Sequence, residues 1–131
     1  MEKREELVNL ACEAMKNAYS PYSGFKVGAA LQCEDGSVFV GCNIENSAFS
    51  PTCCAERTAF FKAVSEGKKK FSQIAVVGGK DGEISDFCYP CGVCRQVMSE
   101  FCSEDFLIHL YDGKKIQTLT LKDILPYGFS L

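Results

Sequence analysis

The sequence predicts an α/β protein, a three-layer α/β/α sandwich on a mixed sheet of about five strands. Three observations carry this. An apolar stripe at helical spacing opens the chain, a hairpin signal follows it, and helical and strand patterns then alternate.

The first helix rests on Leu7, Leu10, Ala11, Ala14, Met15 and Ala18, and it ends before Pro21. Phe25, Val27, Ala29, Leu31 and Cys33 alternate as a half-buried strand does. Asp35-Gly36 is a hairpin turn, and Val38 to Asn43 is the return strand. Ala55 to Glu66 is a helix with Ala59, Phe60, Ala63 and Val64 on its apolar stripe, and Gly67 stands where a C-terminal cap belongs. Ile74 to Val77 is a short β-branched run suited to a strand buried on both faces. Pro90 opens a third helix with Val93, Val97, Met98 and Phe101 on one face. Phe106 to Leu110 is a strand, Asp112-Gly113 a turn, and Ile116 to Leu119 a last strand. Leu121 to Leu125 is a short helix ended by Pro126.

The 131 residues favour one domain over residues 1–131, and a hydrophobic content of 47% can fill its core. No apolar run approaches the roughly 20 residues of a membrane-spanning helix. Met1 to Glu6 is charged, unlike a secretory signal, so a cytoplasmic protein with no membrane partner is expected. The net charge is −3, and Lys68-Lys69-Lys70 is the one basic run, best read as a solvated loop. That points to a small-molecule substrate and away from a nucleic-acid partner.

Nine cysteines cannot all pair within one chain, and a cytoplasmic chain keeps its thiols reduced. They therefore divide into buried apolar residues and metal ligands. Two clusters stand out, Cys53-Cys54-Ala55-Glu56-Arg57 and Pro90-Cys91-Gly92-Val93-Cys94, each at the start of a helix. A helix N-terminus favours thiolate, the metal-binding form. Cys91 and Cys94 can face one point from a single turn, and Cys54 can supply a third sulfur. Three protein ligands leave the fourth tetrahedral position of zinc for water, the pattern of catalytic sites. Glu56 can then take and return protons beside the metal. Three thiolates make the centre negative, and Arg57 can draw charge from a ligand sulfur.

Two other readings of these cysteines remain. They could form a four-cysteine structural zinc module that draws on Cys53 or Cys88, or they could be core thiols with no metal. His109, the single histidine, sits in an apolar strand run and reads as core, which disfavours a Ser-His-Asp or Cys-His mechanism. Cys12, Cys33, Cys42 and Cys102 read as core as well.

Taken together, several motifs in order resemble the small, homotetrameric, zinc-dependent cytidine deaminases. They are Tyr22-Ser23-Gly24-Phe25-Lys26-Val27-Gly28-Ala29-Ala30, Gly41-Cys42-Asn43-Ile44-Glu45-Asn46, Cys54-Ala55-Glu56-Arg57-Thr58-Ala59, Pro90-Cys91-Gly92-Val93-Cys94-Arg95-Gln96 and Leu125-Pro126-Tyr127-Gly128-Phe129. The nucleobase deaminases share a ligand–x–Glu…Pro-Cys-x-x-Cys signature, shown here in its three-cysteine form. The resemblance implies one Zn2+ per subunit on Cys54, Cys91 and Cys94, with Glu56 as the proton shuttle. It implies that Asn43 and Glu45 bind the ribose, that Phe25 walls the pyrimidine and that the Ala55 backbone contacts the base. Phe25 reads equally as a core residue of an alternating strand. Phe49 and Phe129 match aromatic positions that complete a neighbouring subunit's site. The implied reaction is hydrolytic deamination of cytidine, and of 2′-deoxycytidine, in pyrimidine salvage. A deaminase of a related aminopyrimidine nucleoside antibiotic is the alternative.

Overall fold

The alternating segment from Phe25 does form a strand, and it organises the sheet. In the structure, a computed structural model describing residues 2–131, β1 (Phe25–Cys33) pairs with β2 (Val38–Cys42) and β3 (Phe71–Lys80). Both pairings are antiparallel. β4 (Leu107–Tyr111) runs parallel to β3, and β5 (Ile116–Thr120) antiparallel to β4. The sheet order is β2-β1-β3-β4-β5. Parallel neighbours need a crossover, and α3 (Gly92–Phe101) lies in it.

The helices complete three layers. α1 (Lys3–Met15) covers one face with Leu7, Val8, Ala11 and Met15 against Ala30, Ala75 and Val77. α2 (Ala55–Ser65), α3 and the short α4 (Leu121–Ile124) cover the other, around Leu31, Phe60, Ile74, Val76, Met98, Ile108 and Leu110. Two glycines let helices sit directly on the sheet. A Cβ on Gly28 would stand 2.0 Å from the Ala11 carbonyl oxygen of α1. One on Gly41 would stand 2.6 Å from the Ala55 oxygen and 2.7 Å from the Ala59 nitrogen of α2.

Some expectations shift. β3 extends well beyond Ile74–Val77, because Phe71, Gln73 and Gly78 to Lys80 all pair with β1. The ladder, not local β-propensity, sets its length. α1 stops at Met15, short of Ala18, and its Leu10 is exposed while Val8 is buried. α3 begins at Gly92, with Cys91 as its N-cap, and the Pro90 carbonyl accepts a hydrogen bond from Arg95 Nε at 2.8 Å. Val93 is 57% exposed and does not belong to the core face. That face carries Cys94 and Met98, since the sulfur of Cys94 must turn inward toward Cys54. Of the cysteines expected in the core, Cys33 is buried and Cys12, Cys42 and Cys102 are only partly so. His109 is buried as expected, between Thr118 Oγ1 and Gln73 Oε1, each at 2.8 Å. Lys68 reaches Asp35 at 2.7 Å from its loop.

Candidate metal centre and active site

Cys54 and Cys91 are the N-cap residues of α2 and α3, and neither caps its helix through a side-chain hydrogen bond. The positive ends of both helices therefore meet at the sulfurs. Cys94, in the first turn of α3, supplies the third, and the three Sγ atoms lie within 4.8 Å of one another. Among the described residues these three form the cluster of metal-ligating side chains. Cys54 Sγ and Cys91 Sγ are 3.6 Å apart. Sulfurs held at roughly 2.3 Å by a tetrahedral zinc ion stand about 3.8 Å apart, so the donor set and its spacing fit zinc.

Electrostatics favour charge on this cluster. The Cys54 thiol is lowered to about 5, first by a hydrogen bond from Cys94, with Arg57 and Cys91 adding to it. Arg57 Nη2 donates to Cys54 Sγ at 3.3 Å, the contact expected of a charge-drawing guanidinium. Cys94 is pushed upward by its hydrogen bond to Cys54 and by burial. A bound dication would deprotonate both.

Glu56 is only 3% exposed, yet its residue lines a cavity of about 290 Å³ that Cys54 and Cys91 also line. Burial raises its carboxyl to about 7, and the negative charge of Cys54 acts in the same direction. A carboxyl poised near neutrality can both take and give a proton.

Further lining comes from β1 and from the segment that follows β2. Phe25, 40% exposed, lines the cavity and so is not a core residue. Asn43 and Glu45 also line it. They flank Ile44, whose backbone pairs with Cys53, while the Asn43 oxygen and Glu45 nitrogen bond to Tyr19. The segment thus stays extended beyond β2, and alternate residues face one side. Asn43 Nδ2 donates to the Phe25 oxygen at 2.8 Å, and its Oδ1 accepts from Val27 N–H at 2.9 Å. Glu45 accepts from the Tyr22 and Ser23 N–H groups and from the Ser23 hydroxyl, which holds its carboxyl below the usual range.

Not every expected residue joins this cavity. Ala55 is fully buried as the first residue of α2. Phe49, 80% exposed at φ 33°, lines an adjoining hollow with Tyr22, Ser23, Glu45 and Thr52. Phe129 lies elsewhere, in a crevice with Ser99, Leu121 and Leu125. The sequence reading gave no role to Ser23, Thr52 or Tyr89 and considered Cys88 only as a structural-zinc ligand, and all four line the cavity. Cys88 is pushed up to about 12, chiefly by burial and then by the charges of Glu56 and Cys54, so it is a neutral wall thiol. Only the Tyr22-Ser23-Gly24 turn ahead of β1 could have signalled Ser23.

Residues 1–110 match the family described as the cytidine and deoxycytidylate deaminase zinc-binding region. The chain belongs to this deaminase family. The cytidine deaminase of Sporosarcina psychrophila is 50% identical over 127 residues, covering 96% of this chain and 90% of that one. The crystal structure of the Burkholderia pseudomallei cytidine deaminase superposes with a TM-score of 0.88 at 42% identity, covering 98% of this chain and all (100%) of that one. A more distant deaminase relative, the blasticidin-S deaminase of Bacillus cereus, is 30% identical over 129 residues, covering 95% of this chain and 91% of that one. Membership in a zinc-binding deaminase family agrees with the three-sulfur cluster and the carboxylate beside it.

Proposed function

We propose that residues 1–131 form one zinc-dependent cytidine deaminase domain that converts cytidine or 2′-deoxycytidine and water to the uracil nucleoside and ammonia. The observation that carries this is the buried Glu56 beside a three-sulfur cluster, in a cavity that Asn43 and Glu45 also line. Cys54, Cys91 and Cys94 would hold one Zn2+, and the chemistry it would supply there is acidification of a water near neutral pH. Arg57 moderates the charge of the sulfur set through Cys54.

The protein's own groups do the rest. Phe25 stacks against the pyrimidine, and Asn43 and Glu45 bind the sugar hydroxyls; Ala55, fully buried and outside the cavity lining, makes no contact with the base in this reading. Glu56 accepts a proton from the attacking water as oxygen bonds to the amine-bearing carbon. It delivers that proton to the adjacent ring nitrogen. A second transfer moves the remaining hydroxyl proton to the amine, the carbon–nitrogen bond breaks as the carbon–oxygen double bond of the uracil forms, and ammonia leaves.

The same reading has the enzyme working in the cytoplasm in pyrimidine salvage, as a homotetramer whose Phe49 and Phe129 complete neighbouring sites. Phe129 lies away from its own chain's cavity, which supports a role in trans. Among the described residues no helix is long and apolar enough to cross a membrane. The net charge of −3 argues against a polynucleotide partner.

The decisive test is the ultraviolet signal of cytidine loss, with and without a strong zinc chelator, on enzyme sedimented at assay concentration. Chelation should abolish turnover, added zinc should restore it, and the active species should sediment as a tetramer. No cytidine loss together with a fourth protein ligand on the metal would favour the non-catalytic structural-zinc alternative, and activity indifferent to chelation would rule out zinc dependence. Parallel assays of 2′-deoxycytidine and blasticidin S distinguish the nucleoside from the antibiotic reading.

A further inference from the structure

We propose that Ser23 is a positioning residue for the sugar subsite, its hydroxyl fixing the Glu45 carboxylate and tying it to the Phe25 wall. This rests on the reading of Glu45 as a sugar-hydroxyl ligand. One oxygen of Glu45, Oε1, accepts from the N–H groups of Tyr22 at 3.0 Å and Ser23 at 3.1 Å. The other, Oε2, accepts from the Ser23 hydroxyl. The same hydroxyl oxygen accepts from the Phe25 N–H at 3.0 Å. One side chain thus joins the sugar-side acceptor to the first residue of β1.

The turn that carries Ser23 is itself anchored. Lys80 Nζ donates to the Ser23 carbonyl at 2.6 Å, and Asp81 N–H donates to the Gly24 carbonyl at 2.7 Å. Gly24 has a φ of +70°, where a side chain is strained, and a Cβ there would meet Lys80 Nζ at 2.7 Å. The end of β3 therefore locks the loop that aims Glu45.

The acceptor arithmetic gives the consequence. A carboxylate offers about four lone-pair sites. The turn occupies three of Glu45's, two on Oε1 and one on Oε2. What remains for a sugar hydroxyl is a single direction on Oε2, and only the Ser23 hydroxyl fixes it. Without that hydroxyl the carboxylate keeps its Oε1 anchors but Oε2 is free to swing, and the nucleoside must orient it on binding. The effect belongs in KM, because Ser23 touches neither Glu56 nor the sulfur cluster through any hydrogen bond.

The test is steady-state kinetics on cytidine with zinc-loaded wild type, Ser23→Ala, Ser23→Thr, Glu45→Ala and the Ser23→Ala/Glu45→Ala pair. Zinc stoichiometry and thermal midpoint serve as folding controls. Ser23→Ala should raise KM about tenfold with kcat within about threefold, as expected for one hydrogen bond to a charged acceptor. Ser23 is exposed, so the extra methyl of threonine has room, and Ser23→Thr should restore KM to within about threefold of wild type. In the Glu45→Ala background, Ser23→Ala should add less than about a factor of two, because its target is gone. An unchanged KM in Ser23→Ala, no rescue by threonine, or a full tenfold effect without Glu45 would each overturn the proposal while Glu45→Ala itself still raised KM. If Glu45→Ala left KM unchanged, the underlying reading of Glu45 would fall first.

Discussion

At Glu56, burial and the negative charge of Cys54 act together to hold the carboxyl protonated to higher pH. An exposed carboxylate would be too weak a base to hold a proton near neutral pH; here burial lifts the carboxyl to about 7. Glu56→Gln keeps the shape and removes the proton acceptor. Turnover should fall by about 10²–10⁴-fold while zinc stoichiometry stays at wild-type level, which kcat and metal analysis would establish together. A Glu56→Gln enzyme with near-normal kcat would remove the residue from the mechanism. The residues of this centre were legible in the sequence because Cys54 and Glu56, and Cys91 and Cys94, are local in each cluster. Ser23 was not, because its target Glu45 lies 22 residues on and only the folded loop brings them together.

At the scale of elements, two helices deliver the sulfurs and one glycine sets the height of the first. Gly41 lets the start of α2 lie on β2, and a Cβ there would collide with the backbone of Ala55 and Ala59. Gly41→Ala should cost about 3 kcal/mol and lower zinc stoichiometry, since any relief displaces the helix tip that carries Cys54. Gly28→Ala should cost a similar amount by pushing on α1, which packs on the opposite face, and should leave zinc loading near normal. Urea midpoints at unchanged m-value, with metal content, separate the two. Equal zinc loss in both variants would mean that the centre does not depend on how α2 is seated. The elements themselves were readable from periodicity, and their ends less so. β3 outgrew its β-branched run because pairing with β1 holds Gly78 and Gly79 in the ladder. The face of α3 turned because Cys94 is drawn to the cluster, leaving Val93 outside.

Across the whole molecule, a polar chain crosses the α1 face of the sheet. Arg4 donates to Thr118, Thr118 and Gln73 hold the two ring nitrogens of His109, and Gln73 donates to Gln32. Burial, and then the charge of Arg4, lowers the His109 imidazole from 6.5 to about 4. The folded state therefore favours the neutral ring, and the unfolded chain binds the extra proton first. Stability from this group is complete above about pH 6.5 and is lost as pH falls through about 4, to a total of roughly 3 kcal/mol. His109→Gln should flatten that part of the curve of urea midpoint against pH, and an unchanged acid slope would exclude the histidine as its source.

What the sequence determined by itself was the alternation of elements, the three sulfurs able to hold a metal and the carboxylate near them. Each is written in residues close together in the chain, where spacing and residue chemistry act directly. The tertiary structure alone decided the strand order, the facing of α3, the anchoring of Glu45 by a distant turn and the burial that tunes Glu56. Those depend on which surfaces exclude water and which groups meet across long stretches of chain, and no local pattern encodes either.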